Sequence, residues 1–281
     1  MKIAVALVAA TITAAAPPPR EPARQIEVIG VDYAFKLPAS LPPGLTTFHF
    51  RNDSQHRHEF NVFLLKKGAT IEEVIKAGKE NKSQMQYIDG PVGVLFAGKG
   101  KNSRSTLTTN LLPGRVYGIQ CIFRDTANAP RHYELGMYGT IPISNGAVRS
   151  VPHKADSVIA VDYAYKSYPH EISPGLHSIA FRNAGKQRHE IGVDMLKPGF
   201  TLDSVLAYDK RGADVDPLFE PGGLGVLHSR SGETALGTLD IDFLPGREYV
   251  IECSFQDNDK SPPHYELGMY ASIHVAKRSD K

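Results

Sequence analysis

Eight residues of this 281-residue chain could act together on a soft metal ion. Cys121, His132 and Met137 lie within the stretch 117–138, YGIQCIFRDTANAPRHYELGMY. Cys253, His264 and Met269 recur in 249–270, YVIECSFQDNDKSPPHYELGMY, at a constant offset of 132 residues. A thiolate, an imidazole nitrogen and a thioether suit copper better than a hard, oxygen-seeking cation. A second imidazole stands earlier in each copy. His58 lies in FRNDSQHRHEF and His189 in FRNAGKQRHEI, each six residues after an Asn. The order His, Cys, His, Met therefore occurs twice. Two imidazoles and a thiolate in a trigonal set, with a weak axial Met, make a copper electron-transfer site.

Each donor also has a plainer reading. A lone His on a strand is usually a packed or surface residue, and a lone Cys is usually a small buried hydrophobe. The heptapeptide HYELGMY is identical in both copies, and packing of its Tyr and Leu in a core could account for that. Against this stands the full donor set in one order in both copies, although copies from one duplication are not independent.

The elements that must position these donors read as strands. Each Cys follows an apolar run, and each late His and Met straddle the start of another, MYGTIPI or MYASIHV. Each early His follows a strand and a turn and opens the next strand. The duplication spans nearly the whole chain. VDYAF at 31–35 answers VDYAY at 161–165, and PGLTTFHFRN at 43–52 answers PGLHSIAFRN at 174–183. LLPGRVY at 111–117 answers FLPGREY at 243–249. Solenoid repeats run about 20–50 residues, so this longer period is a duplicated domain. The predicted boundaries are 25–146 for the first domain and 155–276 for the second. A linker at 147–154 joins them, and a polar tail follows at 277–281.

Within each repeat, short alternating runs are split by Pro-Gly, Gly-Lys and Asn/Asp clusters, which predicts an antiparallel sandwich or barrel. One helix interrupts each repeat. Thr70 with Glu73 forms a capping box before IEEVIKAGK, and Thr201 heads LDSVLAYDK, where Ser204 replaces the glutamate. Two independent domains put their cysteines in different cores. A disulfide needs Cα atoms within about 7 Å, so the cysteines are expected to be unpaired.

Residues 1–24 read as a signal peptide and a Pro-rich start. Met1 and Lys2 precede an apolar run of small residues, shorter than the roughly 20 needed to span a bilayer. The mature chain is then expected to be exported, to a bacterial periplasm or beyond, with no membrane span. The formal net charge is +2, and there is no long basic tract for nucleic acid.

With these residues in view, each repeat resembles a cupredoxin, of the plastocyanin-like family. The match rests on an early F-x-N…H element and a late Y-x-x-x-C…P-x-H-x-x-x-x-M element, in both repeats. The resemblance implies an all-β fold of two tandem Greek-key β-sandwiches, each with a short helical insertion. It also implies one type 1 copper per domain, held by His58, Cys121, His132 and Met137, then His189, Cys253, His264 and Met269. There is one departure. Ten residues separate Cys from His in each repeat, where plastocyanin-like loops have two to four. This polar loop is expected to bulge outward while its ends stay in place.

The implied role is one-electron transfer to and from redox partner proteins, without catalysis. Two-domain copper oxidases and nitrite reductases are the enzyme alternative. They link a second copper through a His beside the Cys, whereas here the neighbours are Gln120 and Ile122, then Glu252 and Ser254. A copper carrier or store is the third reading, but it tends to use Met-rich or His-rich tracts, and this chain has 5 Met in all. His56 is expected beside the first site as a loop residue, and Gln187 replaces it in the second. Glu59 and Glu190 are expected to hydrogen-bond neighbouring loops. Leu135 and Tyr138 are expected to give the first site an apolar surround.

Overall fold

The computed structural model describes residues 22–148, 154–258 and 260–277. The expected signal segment and most of the linker lie outside the described residues. The first repeat forms β1 (Arg24–Val31), β2 (Ala34–Lys36), β3 (Gly44–Asn52), β4 (His58–Leu65), β5 (Ile88–Ala97), β6 (Ser105–Leu111), β7 (Val116–Gln120) and β8 (Tyr138–Pro142). The second forms β9 (Asp156–Val161), β10 (Ala164–Ser167), β11 (Glu171–Ile172), β12 (Gly175–Asn183), β13 (His189–Met195), β14 (Gly225–Ser229), β15 (Thr234–Phe243), β16 (Glu248–Glu252) and β17 (Tyr270–Val275). In each repeat the chain crosses between two facing sheets in a Greek-key course, as the sequence resemblance implies.

The period-2 pattern does what it should. Along β13, His189, Ile191, Val193 and Met195 are buried, and the residues between them are only half-buried. Strand β4 departs from alternation and is buried on both faces. Its outer side is covered by helix α1 (Ile71–Lys79), whose Ile71, Val74 and Ile75 pack on Phe63 and Leu65. The capping box at Thr70 and Glu73 is formed. Helix α2 (Leu202–Asp209) has the same box, with the Ser204 hydroxyl accepting the Thr201 N–H in place of a carboxylate.

The repeat predicts two sandwiches with separate cores, and here the structure differs. Both sheets run through both repeats. The order is β10-β9-β12-β15-β6-β3-β1-β2 in one layer and β11-β17-β16-β13-β14-β5-β4-β7-β8 in the other. The seam is β6 against β15, from Ser105↔Ile241 to Thr109↔Gly237, together with Val94↔Val226 between β5 and β14. One apolar cluster crosses it and joins Leu95 and Leu107 to Leu227 and Leu239. The physical reason is edge pairing: each repeat alone would expose a row of unpaired backbone groups on β5 and β6 or on β14 and β15. Glycine permits the approach, since a Cβ on Gly237 would stand 2.6 Å from the Val92 carbonyl oxygen. Asp240, in β15, accepts from the Thr108 hydroxyl across the seam.

Strand direction also places the two histidine-bearing ends. His58 pairs with Ala97 at one end of β5, and His189 pairs with Ser229 in β14. Because β5 and β14 are antiparallel in register Val94↔Val226, six residues of strand and three strand spacings separate the two histidines. That is on the order of 25 Å. The two sites open at opposite ends of the joined sandwich.

Candidate metal centres

Asn52 ends β3 and organises the turn that delivers His58. Its side-chain nitrogen donates to the carbonyls of His56 (2.7 Å), Ala97 (3.1 Å) and Gly98 (3.0 Å), and its oxygen accepts from the Ser54 N–H. Asn183 does the same with the carbonyls of Gln187 and Ser229 and the Gly185 N–H. Both Asn side chains are fully buried. The FRN element is therefore a fastener for the first imidazole.

The late element is tied into a compact knot by the backbone. Cys121 N–H donates to Met137 O (3.0 Å), Tyr133 N–H to Cys121 O (2.9 Å), and Met137 N–H to His132 O (2.9 Å). The second half repeats these bonds at Cys253, Tyr265 and Met269. Gly136 and Gly268 take φ of 111° and 101° to close the turn, a conformation glycine adopts without steric cost. Met137 and Met269 are fully buried.

These elements bring His58, Cys121 and His132 together, and likewise His189, Cys253 and His264. In the first half, Nδ1 of His58 lies 3.0 Å from Nδ1 of His132, and the Cys121 Sγ lies 3.8 Å and 3.4 Å from them. In the second half the same three sides are 3.1, 3.9 and 3.4 Å. Triangles with these sides have their centres about 2.0 Å from each corner, the length of an imidazole–metal bond. All six side chains are at most 1% exposed. The cysteines are free, as expected from the repeat.

The chemistry of the donors fits a cation. In the second half, Nε2 of His189 lies 3.3 Å from Asp162 Oδ1, and Nε2 of His264 lies 3.1 Å from Asp257 Oδ1. Carboxylates accept, so each imidazole carries its proton on Nε2 and turns a bare Nδ1 lone pair toward the other. Two lone pairs facing each other at 3.1 Å beside a thiol call for a positive charge between them. Burial holds both His58 and His189 below the usual imidazole range, His58 at about 4. Burial, with the Glu59 carboxylate adding to it, pushes the Cys121 thiol up to about 12. Cys253 is pushed up to about 12 in the same way, by burial and then Glu190. Such a thiol loses its proton to a metal rather than to water.

The long Cys–His loop does not simply bulge outward. Its base is closed by His132 N–H donating to Phe123 O (2.9 Å), and its Asp125 folds back onto Nε2 of His132 (3.2 Å). Tyr33 OH donates to the other oxygen of Asp125 (2.7 Å). Asp257 and Tyr163 repeat this pair (2.6 Å). Asp125 and Asp257 each stand four residues after the Cys, inside loops that otherwise share only Phe123 with Phe255 and Pro130 with Pro262. That shared spacing was the available signal for them, and composition alone hides it among ordinary turn residues.

The expected neighbours fall as follows. His56 stands beside the first site, with Nδ1 2.9 Å from Asp125. The carboxylates of Glu59 and Glu190 accept the N–H groups of Ile122 (2.9 Å) and Ser254 (3.1 Å), so they brace the loop after each Cys. Leu135 corrects the expectation of an apolar surround. It is 44% exposed, as is Leu267, while Tyr133 from the same heptapeptide is buried. The 3-10 turn at 132–135 points the Leu outward, and the immediate surround of His132 is Asp125 and Tyr33.

No family model matches the chain, and no curated protein matches it. Solved structures do. A dithionite-reduced auracyanin from Roseiflexus castenholzii is 19% identical and covers 43% of this chain and 94% of its own, with a TM-score of 0.29. Auracyanin A from Chloroflexus aurantiacus, a blue copper protein, is 19% identical over 43% and 98%, with a TM-score of 0.30. Copper nitrite reductase from Nitrosomonas europaea is 15% identical over 92% and 96%, with a TM-score of 0.26. These values are too low to carry a function from one protein to the other. The sandwich topology and the donor geometry, which stand without them, describe a two-domain cupredoxin-like protein with a donor set suited to one copper in each half.

Proposed function

We propose that the chain is an exported one-electron carrier. His58, Cys121, His132 and Met137 hold one type 1 copper, and His189, Cys253, His264 and Met269 hold another. The observation that carries this reading is the pair of facing Nδ1 atoms beside a buried thiol, with the outer ring nitrogens already committed to other partners. Copper, when bound, supplies the one-electron couple. The chain's part is to keep the donors still, so that neither oxidation state requires them to move. The backbone knot fixes each Cys, and the Asn fastener fixes each early His. Release of the metal would leave a desolvated thiolate behind, which favours retention over delivery.

The carrier reading over the enzyme reading rests on the residues flanking each Cys. Gln120, Ile122, Glu252 and Ser254 offer no imidazole leading on to another metal. Among the described residues, the clusters able to hold a metal are the two above, and no helix is long and apolar enough to cross a membrane. Partners under this reading are redox proteins outside the cytoplasm, and the domains are those bounded at 25–146 and 155–276.

Addition of Cu(II) to the metal-free protein tests the reading. Two coppers should bind per chain, with an intense thiolate-to-copper absorption that bleaches on reduction and returns fully. The thiols carry their protons at pH 7 because their pKa values are pushed up to about 12. The imidazoles of the first site are held down by burial and carry none to give. Each copper at the first site should therefore release one proton, and affinity should rise about tenfold per pH unit. Colourless binding would sink the carrier. Fast transfer of copper to a chelator in both oxidation states would favour cargo, and steady consumption of nitrite or dioxygen would favour an enzyme.

A further inference from the structure

The two centres have matching donors and unmatched supports. In the second half both imidazoles rest on carboxylates, His189 on Asp162 and His264 on Asp257. In the first half His58 rests on a neutral hydroxyl, Ser54 Oγ at 2.7 Å from Nε2. His132 rests on Asp125, but the same oxygen also takes Nδ1 of His56. The second half has Gln187 in place of His56, so Asp257 serves one imidazole only.

Two features make this difference structural. Gly185 stands where the first half has Ser54, and a Cβ there would meet the Asp162 carboxylate and would lie 3.1 Å from Nε2 of His189. The glycine thus opens the space that the carboxylate fills. The hairpin turn also differs: the residue with positive φ is Asp32 in the first half (46°) and Tyr163 in the second (59°). Asp32 is the sequence counterpart of Asp162, yet Ser54 takes the bond to the imidazole. Two further differences have the same sign: Glu252 precedes Cys253 where Gln120 precedes Cys121, and Arg131 precedes His132 where Pro263 precedes His264. In the exposed turn, Asp53 and Gln55 stand opposite Ala184 and Lys186 and have the opposite sign.

We propose that the two copper centres are built to unequal reduction potentials, the second half's being the lower. Asp162 is the positioning residue that sets most of the gap. The proposal deepens the carrier reading and rests on it. A carboxylate behind an imidazole makes it a better donor and places negative charge near the metal, which favours the doubly charged ion over the singly charged one. A bond to a charged partner is roughly twice as strong as one to a neutral partner. Asp162 and Asp257 are each about a third or a quarter exposed, so water screens part of that effect. A difference of about tenfold in electron occupancy is the expected scale. At equilibrium the electron then resides in the first half, and the two ends of the molecule suit partners of different reducing strength.

The test is a stepwise reductive titration of the copper-loaded full chain. Cys121→Ser and Cys253→Ser variants assign each colour to its half. The first half should bleach first, with about a tenfold preference. Asp162→Asn should raise the second centre toward the first and leave the first unmoved. His56→Gln, which removes the competitor for Asp125, should lower the first centre toward the second. A readout independent of redox is the ring-nitrogen NMR spectrum of the Zn(II)-loaded protein. It should show His189 and His264 with a proton on Nε2 in strong hydrogen bonds, and His189 should lose this signature in Asp162→Asn. Coincident bleaching of both halves, prior bleaching of the second, or an Asp162→Asn protein with an unchanged gap would overturn the inference while the carrier reading stands. Absence of thiolate-to-copper colour in both halves would overturn the carrier reading and this inference with it.

Discussion

His58 leans on Ser54, and His189 leans on Asp162. The metal-facing atoms of the two halves agree to about a tenth of an ångström in their spacings, 3.0 against 3.1 Å between imidazole nitrogens and 3.4 Å in both from thiol to second His. The comparison separates two kinds of constraint. Atoms that share one small ion must meet at one point, so the backbone knot around each Cys, late His and Met is reproduced bond for bond. Groups one bond further out need only supply an acceptor, and a hydroxyl or a carboxylate will do. Binding therefore tolerates the exchange, while the electronic character of the site follows it.

The largest expected effect breaks the pair into singles. Cys121→Ser should remove the colour of one copper and leave the other intact, and Cys253→Ser should do the converse. Separation on the order of 25 Å across the joined sheets gives neither site a way to reach the other's donors. Metal counting and visible spectra of each variant check this, and loss of both coppers from one substitution would show coupled sites.

A smaller effect tests the seam that joins the halves. Gly237→Ala would place a Cβ 2.6 Å from the Val92 carbonyl oxygen, which must then move. The expected cost is about 1–3 kcal/mol, read as a lower denaturation midpoint. Gly192→Ala, with its nearest outside neighbour at 3.7 Å, should change stability by about 0.5 kcal/mol or less. Equal effects from the two would mean that the seam is not closely packed in solution.

The smallest expected effect compares the two helices. Thr70→Ala removes the cap of α1, whose Ile71, Val74, Ile75 and Ala77 are buried. Thr201→Ala removes the cap of α2, none of whose residues is fully buried. The first change should cost about 1 kcal/mol of global stability. The second should appear mainly as faster amide exchange within α2, because a lightly packed helix opens on its own. A larger global loss from Thr201→Ala would reverse that ranking.

Much of the fold was legible in the chain. Alternation predicted the strands, and Thr-x-x-Glu placed α1. The exact return of His, Cys and His pointed to both donor clusters before any contact was known. Those signals are local: a strand's period, a capping box four residues long, and donor types that soft ions prefer to hard ones. The seam was not legible, because an edge strand that pairs with its copy has the same pattern as one that faces water. Only the approach of β6 to β15, permitted at Gly237, decided it. The supports behind the imidazoles were hidden for a similar reason. Asp125 reads as a turn residue until the loop folds back over His132, and Asp162 reads like Asp32 until Gly185 leaves room for its carboxylate. Sequence determined which atoms could bind, through residue type and order. Tertiary structure decided what stands behind them, because hydrogen-bond partners far apart in the chain are chosen by the space that neighbouring side chains leave.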